Sequence, residues 1–119
     1  MLCVDNEENI LTGMYSLLSR WQCQVAVARD RSEVEQLLAS GFRPQLILVD
    51  YHLDAGDTGT ALVQWLRERL AEELPGVVIS ADGRSELVAQ IRAAGLDFLP
   101  KPIKPAALRA LISRYVHLH

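Results

Sequence analysis

One parallel sheet wrapped by helices on both faces, an α/β domain, is the fold class this chain predicts. Three observations carry it. Short apolar runs recur along the chain, and each is too brief to be a helix. The segments between them repeat their apolar residues at helical spacing. The strand-like runs are apolar on both faces, which requires cover on both sides, as crossover helices give a parallel sheet.

The elements follow in order. Leu2 to Val4 reads as a short first strand, and Ile10, Met14, Leu17 and Leu18 place an amphipathic helix over roughly Glu8 to Arg20. Gln24 to Ala28 is a second strand with Val25 and Val27 on one face. Ser32 with Glu35 three residues later forms a capping box for a second helix, which Gly41 closes. Pro44 precedes a third strand, Leu46 to Val49, and a polar loop runs from Tyr51 to Gly59. Leu62, Trp65, Leu66 and Leu70 stripe a third helix. Pro75-Gly76 leads into a fourth strand, Val77 to Ser80, and Ser85 is placed to cap a helix carrying Leu87, Val88, Ile91 and Ala94, closed by Gly95. Phe98 to Pro100 is a short fifth strand. Pro105 suits the first turn of a last helix with Leu108, Leu111, Ile112 and Val116 inward. The result is (βα)5, a flavodoxin-like doubly wound sheet of order 2-1-3-4-5, with function expected at the carboxyl ends of strands 1 and 3.

Composition bounds what such a domain does. The chain has 119 residues, half of them hydrophobic, which suits one domain over 1–119 with a real core. No apolar run is long enough to span a bilayer, and Asp5, Glu7 and Glu8 come too early for a signal peptide. Cys3 and Cys23 lack metal-type spacing and read as reduced thiols of a cytoplasmic protein. Net charge is −3, split into −7 over residues 1–82 and +4 over residues 83–119. The acids gather at strand ends and loops, which favours a cation site over direct nucleic-acid or membrane binding.

Two strands end in a carboxylate. Leu46-Ile47-Leu48-Val49 runs into Asp50, and Leu2-Cys3-Val4 into Asp5. Two carboxylates surfacing at one sheet edge raise each other's proton affinity unless a cation neutralises them. Ser80 followed by the small Ala81 ends strand 4, and Lys101 precedes Pro102 after strand 5.

With these four positions in place, the chain resembles the receiver domain of two-component response regulators over essentially its whole length. The resemblance implies that Asp50 accepts a phosphoryl group from a phosphohistidine on a sensor histidine kinase or histidine phosphotransfer domain. It implies that Asp5, Asp50 and the backbone carbonyl of His52 hold Mg²⁺ or Mn²⁺, and that Lys101 pairs with Asp50 or a phosphoryl oxygen. The Ser80 hydroxyl would bond another phosphoryl oxygen and, with Phe98, form a switch. His52 and Asp82 would modulate phosphoryl lifetime, and the Lys101–Pro102 peptide would be cis. The domain would catalyse only its own phosphorylation and dephosphorylation.

The chain also departs from that family. Members usually place two consecutive acids after strand 1, whereas here Asn6 and then Glu7 follow Asp5. Asn6 or Glu7 is expected to fill in toward the metal, which should bind more weakly than usual. Asp54 stands where a proline is common, and Gly59 sits about one residue late, so the loop is longer and more acidic. Asp54 and Asp57 are expected to be solvated turn residues.

Phosphorylation would reshape the surface of helix 4, strand 5 and helix 5. Arg84, Arg92, Lys104 and Arg109 make that surface a docking face for a downstream protein or a second copy. The segment is expected to be either a single-domain regulator or a receiver excised from a larger protein, such as the C-terminal receiver of a membrane-attached hybrid sensor histidine kinase. Two other classes stay open: a pseudo-receiver acting as a phosphorylation-independent interaction module, and a flavin protein or small enzyme of the same topology. The absence of a phosphate loop after strand 1 argues against flavin.

Overall fold

A computed structural model of the chain describes residues 1–116, so the predicted boundary at 119 lies outside the described residues. The elements are β1 (Leu2–Val4), α1 (Glu8–Arg20), β2 (Ala26–Ala28), α2 (Arg31–Ala39), β3 (Ile47–Asp50), α3 (Gly59–Leu70), β4 (Gly76–Ser80), α4 (Ser85–Ala93), β5 (Asp97–Pro100) and α5 (Pro105–Ile112), with a 3₁₀ turn at Asp54–Gly56. All strand pairs are parallel and the order is β2-β1-β3-β4-β5, as the sequence predicts.

Strand alternation divides the core into two layers. Leu2, Val4, Ile47, Val49 and Val78 point to one face and pack with Val34 of α2, Leu62 and Leu66 of α3, and Leu87 and Ile91 of α4. Cys3, Leu48, Val77 and Ile79 point to the other and pack with Leu11, Met14 and Leu18 of α1 and Leu108 and Ile112 of α5. Each such fully buried aliphatic side chain stabilises the fold by about 1.5–3 kcal/mol relative to exposure. Edge strand β2 is thinner than its sequence suggests. It begins at Ala26, turns Ala28 into the core and leaves Val27 exposed.

Two helix starts differ from expectation. The α2 cap is Asp30, not Ser32: its carboxylate accepts the Glu33 N–H at 2.9 Å, and Ser32 falls one residue inside the helix. A carboxylate caps as well as a hydroxyl and also favours the helix N-terminus electrostatically. Ser85 does not cap α4 either. It is the first helical residue, the preceding Arg84 is the boundary, and no side chain caps that end.

Gly59 ties the fold to the sheet edge. Its N–H donates to the Tyr51 carbonyl at 2.8 Å, bringing the start of α3 against the end of β3. A Cβ there would lie 2.5 Å from the Asp50 carbonyl oxygen and 3.1 Å from a Val49 methyl. Gly59→Ala should therefore destabilise the domain by about 1–3 kcal/mol in urea denaturation, the usual cost of overpacking. Gly13→Ala, on an exposed helical face with nothing within 4 Å, should be neutral or stabilising by up to about 1 kcal/mol.

Candidate functional site

The parallel register brings the ends of β1, β3 and β4 to one edge. Val4 lies opposite Val49, Asp50 opposite Ile79, and Ser80 opposite Pro100. Asp5, Asp50 and Ser80 are the three polar residues buried there among the described residues. Lys101, one residue past β5, reaches across: its Nζ lies 2.9 Å from Asp50 Oδ1 and 4.0 Å from Asp5 Oδ2. Its backbone N–H donates to the Ser80 carbonyl at 3.0 Å, so the chain direction that aims the ammonium group is set by the sheet. The Lys101–Pro102 peptide is cis, as expected.

Burial pushes the Asp5 carboxyl above the usual carboxylate range, helped by the Asp50 charge, against the Glu7 N–H that donates to Asp5 Oδ1 at 2.9 Å and the Lys101 charge. For Lys101, burial works against the ammonium form. The hydrogen bond to Asp50 and the charges of Asp50 and Asp5 outweigh it, so the group holds its proton above the ordinary lysine range.

A divalent cation fits this donor set chemically. Two hard carboxylates converge, one of them with its proton affinity raised by desolvation and by its neighbour. Among the described residues no three His, Cys, Asp or Glu side chains gather to hold a metal, so a cation there would need backbone oxygens and water as well. His52 offers such an oxygen. It pairs with Thr58 in an isolated antiparallel bridge whose hydrogen bonds are made by flanking residues, Gly59 N–H to the Tyr51 carbonyl and Leu53 N–H to the Asp57 carbonyl. The His52 carbonyl is not consumed by that bridge. Its exposed ring stands edge-on to Tyr51, with centroids 4.9 Å apart.

Ser80 Oγ accepts the Asp82 N–H at 3.0 Å, and Asp82 in turn chelates Arg84, Nε and one terminal nitrogen lying 3.0 and 2.8 Å from its oxygens. That bond to Arg84 holds the Asp82 carboxyl below the usual range. Arg84 is thus paired at the site rather than a free member of the basic face. Phe98 is half-buried against the layer formed by α2, α3 and α4. Glu7 is exposed and serves Asp5 through its backbone.

The loop acids are not simply solvated. Asn6 Nδ2 donates to Asp54 Oδ1 at 3.0 Å. Asp57 takes a bidentate bond from Arg31, at 2.8 and 2.9 Å, and Arg31 also lies over the Trp65 ring at 5.4 Å. Sequence reading missed both pairings because their partners lie in other strand-end loops. The one available signal was an unusual surplus of acids in a loop flanked by Asn6 and Arg31.

A sequence profile of the response regulator receiver domain matches residues 1–113. Response regulator protein PilR of Pseudomonas aeruginosa is 33% identical over 119 residues, 98% of this chain and 26% of its own length. Protein PetR of Rhodobacter capsulatus is 32% identical over 109 residues, covering 91% of this chain and 44% of its own length. The chain thus spans less than half of these relatives. Among solved structures, the receiver domain of NtrX from Brucella abortus superposes with a TM-score of 0.81 at 28% identity, covering 96% of this chain and 95% of that one. The chemotaxis response regulator CheY4 of Vibrio cholerae gives a TM-score of 0.81 at 23% identity, over 97% and 96% of the two chains, a likeness of fold.

Asp5 binds its proton more tightly in the folded chain than in the unfolded one. As pH rises past the ordinary carboxylate range the unfolded chain therefore gives up the proton first, and the folded state loses stability. In EDTA at pH 7, Asp5→Asn should raise the thermal midpoint by a few degrees, and the gain should vanish when both melts are repeated well below pH 4, a bound set by about 3.9 for an unperturbed aspartate.

Proposed function

The chain belongs to the response regulator receiver family of two-component signalling, and from that membership we propose that Asp50 accepts a phosphoryl group from a phosphohistidine on a sensor histidine kinase or histidine phosphotransfer domain. The observation that carries the reading is the 2.9 Å contact between Lys101 Nζ and Asp50 Oδ1 at a buried, three-stranded edge. A carboxylate oxygen of Asp50 attacks phosphorus in line, the P–N bond breaks, and the imidazole leaves with the electron pair and is protonated from solvent. Asp5, Asp50 and the His52 carbonyl would hold Mg²⁺ or Mn²⁺, which when bound neutralises charge on the phosphoryl oxygens. Lys101 places a fixed positive charge against the same oxygens.

An apolar groove beside Lys101 suits the phosphodonor. Ile10, Met14 and Leu17 of α1 face Pro102 and Ile103 across a cavity of about 590 Å³. A partner helix seated there would bring its imidazole to the sheet edge.

The switch starts at Ser80. Drawing its hydroxyl toward a phosphoryl group takes away the acceptor of the Asp82 N–H and frees the β4–α4 loop. The start of α4 has no side-chain cap to break. Its far end is pinned, because Arg67 of α3 donates to the Ala94 and Gly95 carbonyls at 2.8 and 3.3 Å. Motion is thereby directed to the N-terminal half of α4 and to Phe98 beneath it, which would alter the α4–β5–α5 surface presented to a downstream protein or second copy.

Incubation with a small-molecule phosphodonor and Mg²⁺ should add one phosphoryl mass to the intact chain. Asp50→Asn should abolish the gain, and Lys101→Ala should slow it by about 10²-fold or more, as removal of one preorganised charge does elsewhere. No gain with any donor or metal would instead support an interaction module that works without phosphorylation.

A further inference from the structure

Asn6 and Asp54 sit 48 residues apart in sequence and are joined side chain to side chain by a 3.0 Å hydrogen bond. Asn6 directly follows Asp5, and Asp54 opens the turn that follows Asp50. The bond therefore spans the same edge as the two buried carboxylates. The turn beneath Asp54 is well fixed: the Asp57 N–H donates to the Asp54 carbonyl at 3.2 Å, Leu53 N–H to the Asp57 carbonyl at 3.1 Å, and the Asp57 side chain is clamped by Arg31. No lysine or arginine among the described residues forms an ion pair with Asp54. Its charge is held in position by an amide donor and left unneutralised.

Formal charge shows what that is good for. Asp5, Asp50 and Lys101 together leave one net negative charge against a dication. The exposed Glu7, whose charge acts on Asp5 and Lys101, brings the edge to two, and Asp54 adds a further charge that Asn6 holds in place. An aspartate at position 6 would add the same charge but would face Asp54 with like sign at hydrogen-bond distance, so the amide at 6 and the carboxylate at 54 belong together. Direct ligation by Asp54 beside Asp5 and Asp50 does not occur, because no three such side chains gather. Mg²⁺ keeps several of its waters, and carboxylates outside the direct ligands accept hydrogen bonds from such waters.

We infer that Asp54, oriented by Asn6, is a positioning residue that supplies the edge with a fixed negative charge from outside the direct ligands. The inference rests on the reading that Asp5 and Asp50 take a divalent cation. The test is a calorimetric Mg²⁺ titration of the intact chain without phosphodonor, with a thermal melt of each variant in EDTA. Asp54→Asn should weaken Mg²⁺ binding about tenfold, the lower range of outer-shell effects on metal affinity. Asn6→Ala, which keeps the charge and removes its tether, should weaken it by less. The exchange Asn6→Asp with Asp54→Asn keeps both the hydrogen bond and the charge count, and should return affinity to within about twofold of wild type, a coupling the double-mutant cycle reads directly. If Asp54→Asn leaves the affinity unchanged while Asp5→Asn abolishes binding, the inference is overturned and the cation site stands. A lower melting midpoint in EDTA with unchanged affinity also overturns it, since Asp54 would then be purely structural. Absence of Mg²⁺ binding to the wild type overturns both.

Discussion

Two carboxylates end adjacent buried strands, and one ammonium group keeps them together. Asp5 and Asp50 have little access to water, and parallel pairing of β1 with β3 gives them no freedom to separate. Lys101 at 2.9 Å from Asp50 and 4.0 Å from Asp5 offsets part of their repulsion, while burial above all, with the Asp50 charge adding to it, keeps the proton affinity of Asp5 above the usual range. A cation at that edge would relieve both. A surface pair of the same geometry would store little, since exposed ion pairs contribute only about 0–1 kcal/mol. The helices on both faces of the sheet therefore matter to the chemistry: they make the edge dry enough for charge to count.

In the proposed reading the same edge would have a mechanical output, because its polar contacts are unevenly distributed. Ser80 Oγ is committed to the Asp82 N–H, so any new bond made by that hydroxyl is felt in the β4–α4 loop. The α4 start is held by packing of Leu87 and by the Asp82 contacts of Arg84, without a capping side chain, whereas the α4 end is fastened by Arg67. A helix fixed at one end and loose at the other converts a local contact change into a tilt. Sliding would require the Arg67 bonds to break, and each such bond of a half-exposed group contributes about 0.5–1.5 kcal/mol.

What could be read from the sequence was what depends on strand and helix periodicity. The order of elements, the topology and the convergence of Asp5, Asp50, Ser80 and Lys101 all follow from apolar runs that end in polar residues at a sheet edge. Helix starts were less legible. Ser32 with Glu35 and Ser85 satisfy a local capping pattern, but one residue of register, decided by how the helix packs, gave the cap to Asp30 and left α4 uncapped. The loop acids were least legible. Whether Asp54 is solvated or bonded to Asn6, and Asp57 solvated or bonded to Arg31, depends on which loops the sheet order makes neighbours. Nothing local to either residue encodes that.

Those loop pairings also help to keep the β3–α3 connection ordered beside the sheet edge. Ordering a residue costs about 1–2 kcal/mol of backbone entropy, and each exposed ion pair or side-chain bond returns less than that. Pairing alone is therefore insufficient, and the burial of Leu53 in the core and the seating of Gly59 against Asp50 must contribute. The acids then add direction: Asn6 and Arg31 tie the loop to the ends of β1 and β2, the two strands on the far side of β3 from α4. The half of the edge that would face a cation is thus held from one side of the sheet, and the half proposed to move lies on the other. On the proposed reading, binding and switching would share Asp50 without either disturbing the elements that the other requires.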